Sequence, residues 1–443
     1  MTHLILFAIT AAAQLCVLRR LRFGWFVVAM VWAGTLVDVS YLAYTSISER
    51  NYDAASHLLY IDEIAEHLRP PPVSIFCTAC GHPPLYYALA ALWSKVVLAG
   101  GWIPRELALQ WLSLLLFSGF IVFALLLLRS VVERPATFRL AAALVVFWPS
   151  SVINSVRVHN DALASTLMIA SMYFIAQWDR HERRRDFYLA VAASALALLT
   201  KATGYAMAAT LLVVAALRLR STRFKVESAK QFVAATLVLI ATALLAVSFR
   251  ETMYPHTLCQ RVLGRACDVP STYFVGNRPI NYLYFDLGDF VSTTSSVTYP
   301  PKQDYFWNGL MKSSLFGVMP LGKDFEGAYH KRLAVFISAL SLVVVAISAA
   351  VLPSIRSARW RKYRVFLVAS ASMLILLLAF RIVLPTPFHE DFRHIFAILV
   401  PACLVYAKAV ERLGRWSGVL YQSGIAVGLL MIASSAAFFV RIP

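Results

Sequence analysis

Asp53 and His57 stand four residues apart in the first long polar stretch of an otherwise apolar chain, running from Asn51 past Asp62 and Glu63 to Tyr87. A helix over 52–68 puts this carboxylate and this imidazole on one face. A carboxylate so placed can take a proton from a hydroxyl, although an Asp at a helix start also suits capping. At the far end of the stretch, Cys77, Cys80 and His82 precede Pro83-Pro84. Three later turns carry comparable groups. In Asn154 to Leu163, Asp161 either caps the following helix or serves chemistry, holding a metal or orienting a sugar hydroxyl. In Thr200 to Gly204, Lys201 either reaches out to lipid headgroups or holds a phosphate. In Phe388 to His394, Arg393 either pairs with Glu390 or Asp391 or uses its planar guanidinium on a phosphate. Gathered into one pocket, these groups suit transfer from a lipid-linked phosphate donor. A carboxylate would deprotonate the acceptor, and cations would stabilise the leaving phosphate as its charge develops.

The elements that must position these groups are apolar. The chain has 443 residues, of which 60% are hydrophobic and only 14% charged, with a mean hydropathy of +0.68. Soluble domains carry nearer a quarter charged residues. Apolar runs recur at the length that crosses a bilayer, roughly 20 residues for about 30 Å. The net charge of +18 is spread over basic clusters between those runs: Arg19 to Arg22, Arg129 to Arg139, Arg180 to Arg185, Arg218 to Lys230, Arg356 to Arg364 and Arg412 to Arg415. Their alternation with intervals poor in Lys and Arg is the positive-inside pattern, whereas a nucleic-acid footprint gathers charge on one face.

The alternation gives one threading, with spans at about 3–18, 24–45, 107–128, 139–154, 161–178, 187–201, 203–219, 231–249, 333–352, 364–384, 394–410 and 417–440. Both termini then lie outside. The first run has basic residues after it rather than before it, so it reads as a span and not as a cleaved leader. Residues 83–99 are apolar, but counting them as a span reverses every later basic cluster; they read as an interfacial helix with Tyr86, Tyr87 and Trp93 at headgroup depth. Pro83-Pro84 suits its first turn.

Cys16 and Cys403 fall in apolar runs and read as inert. Cys77 and Cys80 share one outer loop, and Cys259 and Cys267 share another, which suits two local disulfides in an oxidising exterior. Zinc on Cys77, Cys80 and His82 is the competing reading and lacks a fourth ligand nearby. The outer interval at about 250–332 is too aromatic for a disordered linker and is the place where acceptor choice would lie.

In order, the early outer Asp53, the His82-Pro83-Pro84-Leu85-Tyr86-Tyr87 element, the Asn160-Asp161 turn, the Lys201-x-Thr203-Gly204 turn and the late Arg393 leading to Pro401 make a pattern. It resembles the GT-C superfamily of polyprenyl-phosphate-dependent glycosyltransferases, in the branch of the protein O-mannosyltransferases and the lipid A aminoarabinose transferase. The likeness covers about residues 45–220 and 385–410. It implies that Asp53 is the catalytic base and that His82, Lys201 and Arg393 contact the donor phosphate, with His57, Tyr86, Asn160 and Asp161 around the substrate. The chain departs from the family in having Ala54 after Asp53, where Asp-Glu is frequent, and His82 where Lys is frequent.

The expectation is therefore an all-α polytopic membrane protein with about twelve spans. Its parts are two first spans (1–45), an outer loop with juxtamembrane helices and the base (46–106), a bundle (107–249), an aromatic outer loop (250–332) and a C-terminal bundle (333–443). It would move a sugar, with inversion, from a polyprenyl-phosphate donor to a glycan, lipid or protein acceptor on the outer face of a bacterial inner membrane. It would need no cofactor and no metal, though Asp53 with Asp161 offers a divalent ion two carboxylates. Membrane lipids are partners and nucleic acid is not. The alternative, a transporter or lipid flippase, calls for charges deep within spans and a repeat relating two halves; Asp38 is the exception among largely uncharged spans.

Overall fold

The structure is a computed structural model that describes the chain apart from residues 1, 51–52, 72–76, 78, 102, 222–225, 252–274, 293–304, 319–320, 322–324, 351–359 and 441–443. Cys259 and Cys267 lie outside the described residues, as does much of the aromatic outer interval. Among the described residues every regular element is helical. The N-terminal elements are α1 (Thr2–Arg20), α2 (Trp25–Tyr44), α3 (Ile47–Arg50), α4 (Ala54–His67), α5 (Leu85–Leu98) and α6 (Arg105–Val131). They are followed by α7 (Pro135–Phe147), α8 (Pro149–Ser155), α9 (Asp161–His181), α10 (Arg184–Thr200), α11 (Tyr205–Ser221) and α12 (Val226–Glu251). The C-terminal half supplies the long helices Ala328–Ala349, Trp360–Val383, Leu399–Leu413 and Gly418–Phe439.

Among the described residues nine helices are long and apolar enough to cross a membrane, and ten if α7 and α8 count as one bent span. The two remaining expected spans are α9 and α10. Both are helical, but α10 has only 17 residues and α9 carries several polar ones. Twelve is thus the number of helices that match the threading, not the number that pass on length and apolarity. Lipid-facing surface is plain on α12, where Leu237 and Leu244 are each 62% exposed. An apolar surface this open needs hydrocarbon around it, and the chain is an integral membrane protein.

Helix ends explain the two-sided build. The α6 helix begins with Glu106 and ends near Arg129, charges that oppose its dipole. At its Arg129 end the basic clusters converge. Arg129 donates to the Leu21 carbonyl at 2.8 Å, Arg218 to the Asp179 carbonyl at 2.9 Å, and Arg364 pairs with Asp179. Arg134 reaches Glu411 at 3.3 Å. The α9 helix starts at Asp161 and ends in this basic layer, so its 21 residues separate the two ends by about 30 Å. The candidate residues Asp53, Asp161, Lys201 and Arg393 lie at the opposite end.

Three local features aim backbone at that end. Pro149 breaks α7 from α8 with a 51° bend, since proline cannot continue the hydrogen-bond ladder. The buried α8 then delivers the 156–160 turn to the site. Gly204 closes the turn after α10: a Cβ there would lie 2.5 Å from the backbone of Ala197 and Leu198, so only glycine lets the chain reverse tightly behind Lys201. The span Pro387–Leu413 opens with 3-10 turns, broken at Ile395 (φ −123°, ψ 24°), before its regular helix. Irregular backbone at membrane depth is tolerated where it is enclosed by protein. Here Arg381 of the preceding helix clasps Glu390 at 2.5 Å with both side chains buried, and Ser313 accepts from the Phe392 amide at 2.9 Å.

A second, smaller apolar core holds α4 and α5 on the starts of α6 and α9 through Tyr60, Ile61, Tyr86, Tyr87, Leu109 and Leu163. The α5 helix is the short apolar element expected at 83–99, and it begins at Leu85. Pro84 is its N-cap, and its carbonyl accepts from the Ala88 amide at 2.9 Å, so the proline pair stands at the first turn as expected.

Candidate active site

Asp53 occupies the N-cap position of α4, yet its side chain makes no capping hydrogen bond. The carboxylate turns instead into the bundle. Its Oδ2 lies 3.3 Å from Nη1 of Arg393 and 3.6 Å from Nε2 of His57. Its Oδ1 is buried and accepts no hydrogen bond among the described residues. The Asp53 side chain as a whole is 16% exposed. Burial works against its charge, but Arg393, with His57 and His159, outweighs that and holds the carboxyl well below the usual carboxylate range.

Lys201 does not reach toward headgroups. It is buried, and its Nζ sits 2.5 Å from Oδ1 of Asp161. Arg393 lies between three carboxylates: Nη1 on Asp53, Nε 3.9 Å from Asp161 Oδ2 and Nε 2.8 Å from Asp391 Oδ2. The last is an ion pair without hydrogen-bond alignment. Asp391 also caps its 3-10 turn by accepting from the Arg393 amide at 3.0 Å, which fixes the backbone from which the guanidinium projects. Of the two local acids expected to compete for Arg393, Asp391 does so, while Glu390 is taken by Arg381. Asn160 donates to the Thr200 carbonyl at 3.2 Å and so ties the Asp161 turn to the Lys201 turn.

Asp53, Asp161, Lys201 and Arg393 are thus one cluster assembled from four distant segments. His82 is placed through its main chain, whose carbonyl accepts from Tyr60 of α4 at 3.0 Å. Cys77 and Cys80 are joined as a disulfide with Cα atoms 5.4 Å apart, and Cys77 Sγ lies 3.6 Å from the Ser56 carbonyl, beside His57. Tyr86 is fully buried, its ring edge-on to Tyr87 at 5.3 Å. Asp62 and Glu63 face elsewhere, pairing with Arg105 and with His67 and Arg69. Cys16 and Cys403 are free.

Five further residues surround the cluster: Tyr87, Arg157, His159, Asp391 and His394. Tyr87 sits 3.0 Å from Nδ1 of His57. His159 is fully buried with Nδ1 3.5 Å from Asp161. Burial drives it well below the ordinary imidazole range, with Arg157 and Arg393 adding to this and Asp161 opposing it; at neutral pH this contact therefore joins a neutral ring to a carboxylate. All five are sequence neighbours of residues singled out above, and that adjacency is the signal that marked them. Among the described residues no group of three or more His, Cys, Asp or Glu is arranged to hold a metal ion.

Comparison with known proteins follows the same outline. Residues 81–246 match the family described as dolichyl-phosphate-mannose-protein mannosyltransferase. The match takes in His82 to Tyr87, Asn160-Asp161 and Lys201 to Gly204, and leaves Asp53 and Arg393 outside. No curated protein matches the chain in sequence. Among solved structures it is similar to the oligosaccharyltransferase of Archaeoglobus fulgidus in the apo form, at 13% identity and a TM-score of 0.51 over 94% of this chain and 56% of that one. The archaeal oligosaccharyltransferase AglB from the same organism, in complex with an inhibitory peptide and a dolichol-phosphate, matches at 13% identity and a TM-score of 0.50, over 94% and 55% of the two chains. ArnT from Cupriavidus metallidurans, bound to undecaprenyl phosphate, matches at 14% identity and a TM-score of 0.40 over 93% and 77%. The chain spans little more than half the length of the two archaeal structures. At such identity the likeness is one of fold. The fold is like that of the archaeal oligosaccharyltransferase, and the family match overlaps the stretch that carried the resemblance drawn from the residues.

Proposed function

We propose that the chain is a GT-C glycosyltransferase that moves a sugar from a polyprenyl-phosphate donor to an acceptor hydroxyl, with Asp53 as general base. The observation that carries this reading is the convergence of Asp53, Asp161, Lys201 and Arg393, with Oδ2 of Asp53 between Arg393 and His57 and Oδ1 buried without a hydrogen-bond partner among the described residues. Oδ1 takes the acceptor proton as the acceptor oxygen attacks the anomeric carbon. The bond from that carbon to the phosphate oxygen breaks, and the polyprenyl phosphate leaves with the electron pair. Direct attack inverts the anomeric centre. Lys201 and Arg393 stabilise the phosphate charge, and in a buried site they do so more strongly than in water. Asp161 keeps Lys201 charged and oriented until the donor arrives.

The family match and the dolichol-phosphate named with the archaeal structure support a polyprenyl carrier. Convergence of the basic clusters on the opposite end of the bundle supports an active site on the outer face, of the inner membrane if the host is a bacterium. The test is transfer of labelled mannose from dolichyl and undecaprenyl phosphate by purified protein in lipid. Lys201→Ala and Arg393→Ala should each lower kcat/KM for the donor by about ten-fold or more, the loss of a charge-assisted contact. Unchanged donor kinetics in both variants would refute the phosphate assignment.

A further inference from the structure

His57 is 3% exposed and is held on both sides. Its Nδ1 lies 3.0 Å from the Tyr87 hydroxyl and its Nε2 faces Oδ2 of Asp53 at 3.6 Å. The Tyr87 ring is fixed in turn. It stacks on Tyr60 with centroids 3.8 Å apart, lies nearly parallel to His57, and meets Tyr86 edge-on. A ring enclosed in this way is poorly placed to grip a sugar, which the sequence pattern alone had suggested for His57.

Tautomer logic gives it another task. Facing a carboxylate, Nε2 carries the hydrogen; in the neutral ring Nδ1 then accepts, and the group at Nδ1 donates. Burial, with Tyr60 and Tyr86 close by and the carboxylates of Asp53 and Asp161 beyond, pushes the Tyr87 hydroxyl well above its ordinary range. It therefore stays protonated and remains a donor. Among the described residues, the other charged or titratable groups at Asp53 and His57 are Arg393 from the 3-10 turn and His159 from the 156–160 turn.

We propose that Tyr87 is a positioning residue that acts through His57: its hydroxyl fixes the imidazole with hydrogen on Nε2, which anchors Oδ2 of Asp53 and leaves Oδ1 aimed at the acceptor. The proposal rests on the transferase reading of Asp53. It makes the second tyrosine of the Pro-Pro-Leu-Tyr-Tyr element part of the reaction without letting it touch substrate.

The test is steady-state transfer of labelled mannose from dolichyl and undecaprenyl phosphate by the full chain in lipid, with Tyr87→Phe, His57→Ala and the double variant. Phe keeps every ring contact and removes only the hydroxyl. Tyr87→Phe should lower kcat by about ten- to a hundred-fold with donor KM nearly unchanged, the signature of a misoriented base. In the His57→Ala background the same change should cost nothing further, because its effect passes through His57. Native kcat in Tyr87→Phe, or losses that multiply in the double variant, would overturn the proposal while leaving Asp53 as base. A loss confined to folded yield, with kcat per folded molecule unchanged, would overturn it as well. A native chain silent with both donors would sink the transferase reading and the proposal with it.

Discussion

At the scale of the residue, the site is governed by one guanidinium shared among three carboxylates. Arg393 touches Asp53, Asp161 and Asp391, and its charge is the main influence holding Asp53 ionised against burial. A base whose pKa is depressed stays ionised down to low pH, and activity that needs it is lost as pH falls through that value. Donor binding changes the balance. A phosphate that recruits Arg393 weakens its hold on Asp53 and brings a like charge close, so the carboxyl should regain basicity. The acid limb of kcat, which reports the donor-loaded enzyme, should then lie at higher pH than the acid limb of kcat/KM for the donor, which reports the free enzyme. Coincident limbs would show that donor binding leaves the Arg393–Asp53 pair intact. Residue types at outer turns made Asp53, Asp161, Lys201 and Arg393 legible in the sequence. What was not legible was their pairing. Whether Asp53 caps its helix or reaches Arg393 is settled by packing between segments 340 residues apart, which no local pattern encodes.

At the scale of the element, the turns matter more than the helices they join. The Lys201-x-Thr203-Gly204 turn is tight because Gly204 lies against the last turn of α10. Gly204→Ala forces that backbone apart and should destabilise the protein by about 1–3 kcal/mol, the usual cost of overpacking, while moving Lys201 off Asp161. A thermal-unfolding measurement in detergent should show the lowered midpoint, and donor KM should rise with it. A variant with native midpoint and native KM would mean that the turn relaxes without consequence. The helices themselves were readable because apolar runs and basic punctuation are strong signals. The exceptions have physical reasons. Pro149 was read through as part of one span, but its bend is what swings α8 and the His159 turn into the site. The 3-10 start of the span that carries Arg393 was hidden because hydropathy does not distinguish a regular helix from an enclosed irregular one.

At the scale of the whole molecule, charge separates the two ends. Basic clusters gather where Arg129, Arg218 and Arg364 meet Leu21 and Asp179, and the candidate site gathers about 30 Å away. On the proposed reading, the positive-inside pattern orients the site outward. Cysteines introduced in place of exposed Arg69, just after α4, and exposed Arg184, in the basic layer, should react with an impermeant thiol reagent from opposite sides of intact cells or vesicles. Labelling of both from one side would refute the topology. The central claim, that this end of the bundle performs sugar transfer with Asp53 as its base, is tested most directly by one comparison. Purified native protein and Asp53→Asn, each in lipid, are assayed for transfer of labelled sugar from polyprenyl-phosphate donors. The account predicts transfer by the native chain and a loss of at least about a hundred-fold in the variant, the scale of a missing general base, with the folded yield unchanged. Transfer that survives the substitution would contradict it and move the base to another carboxylate.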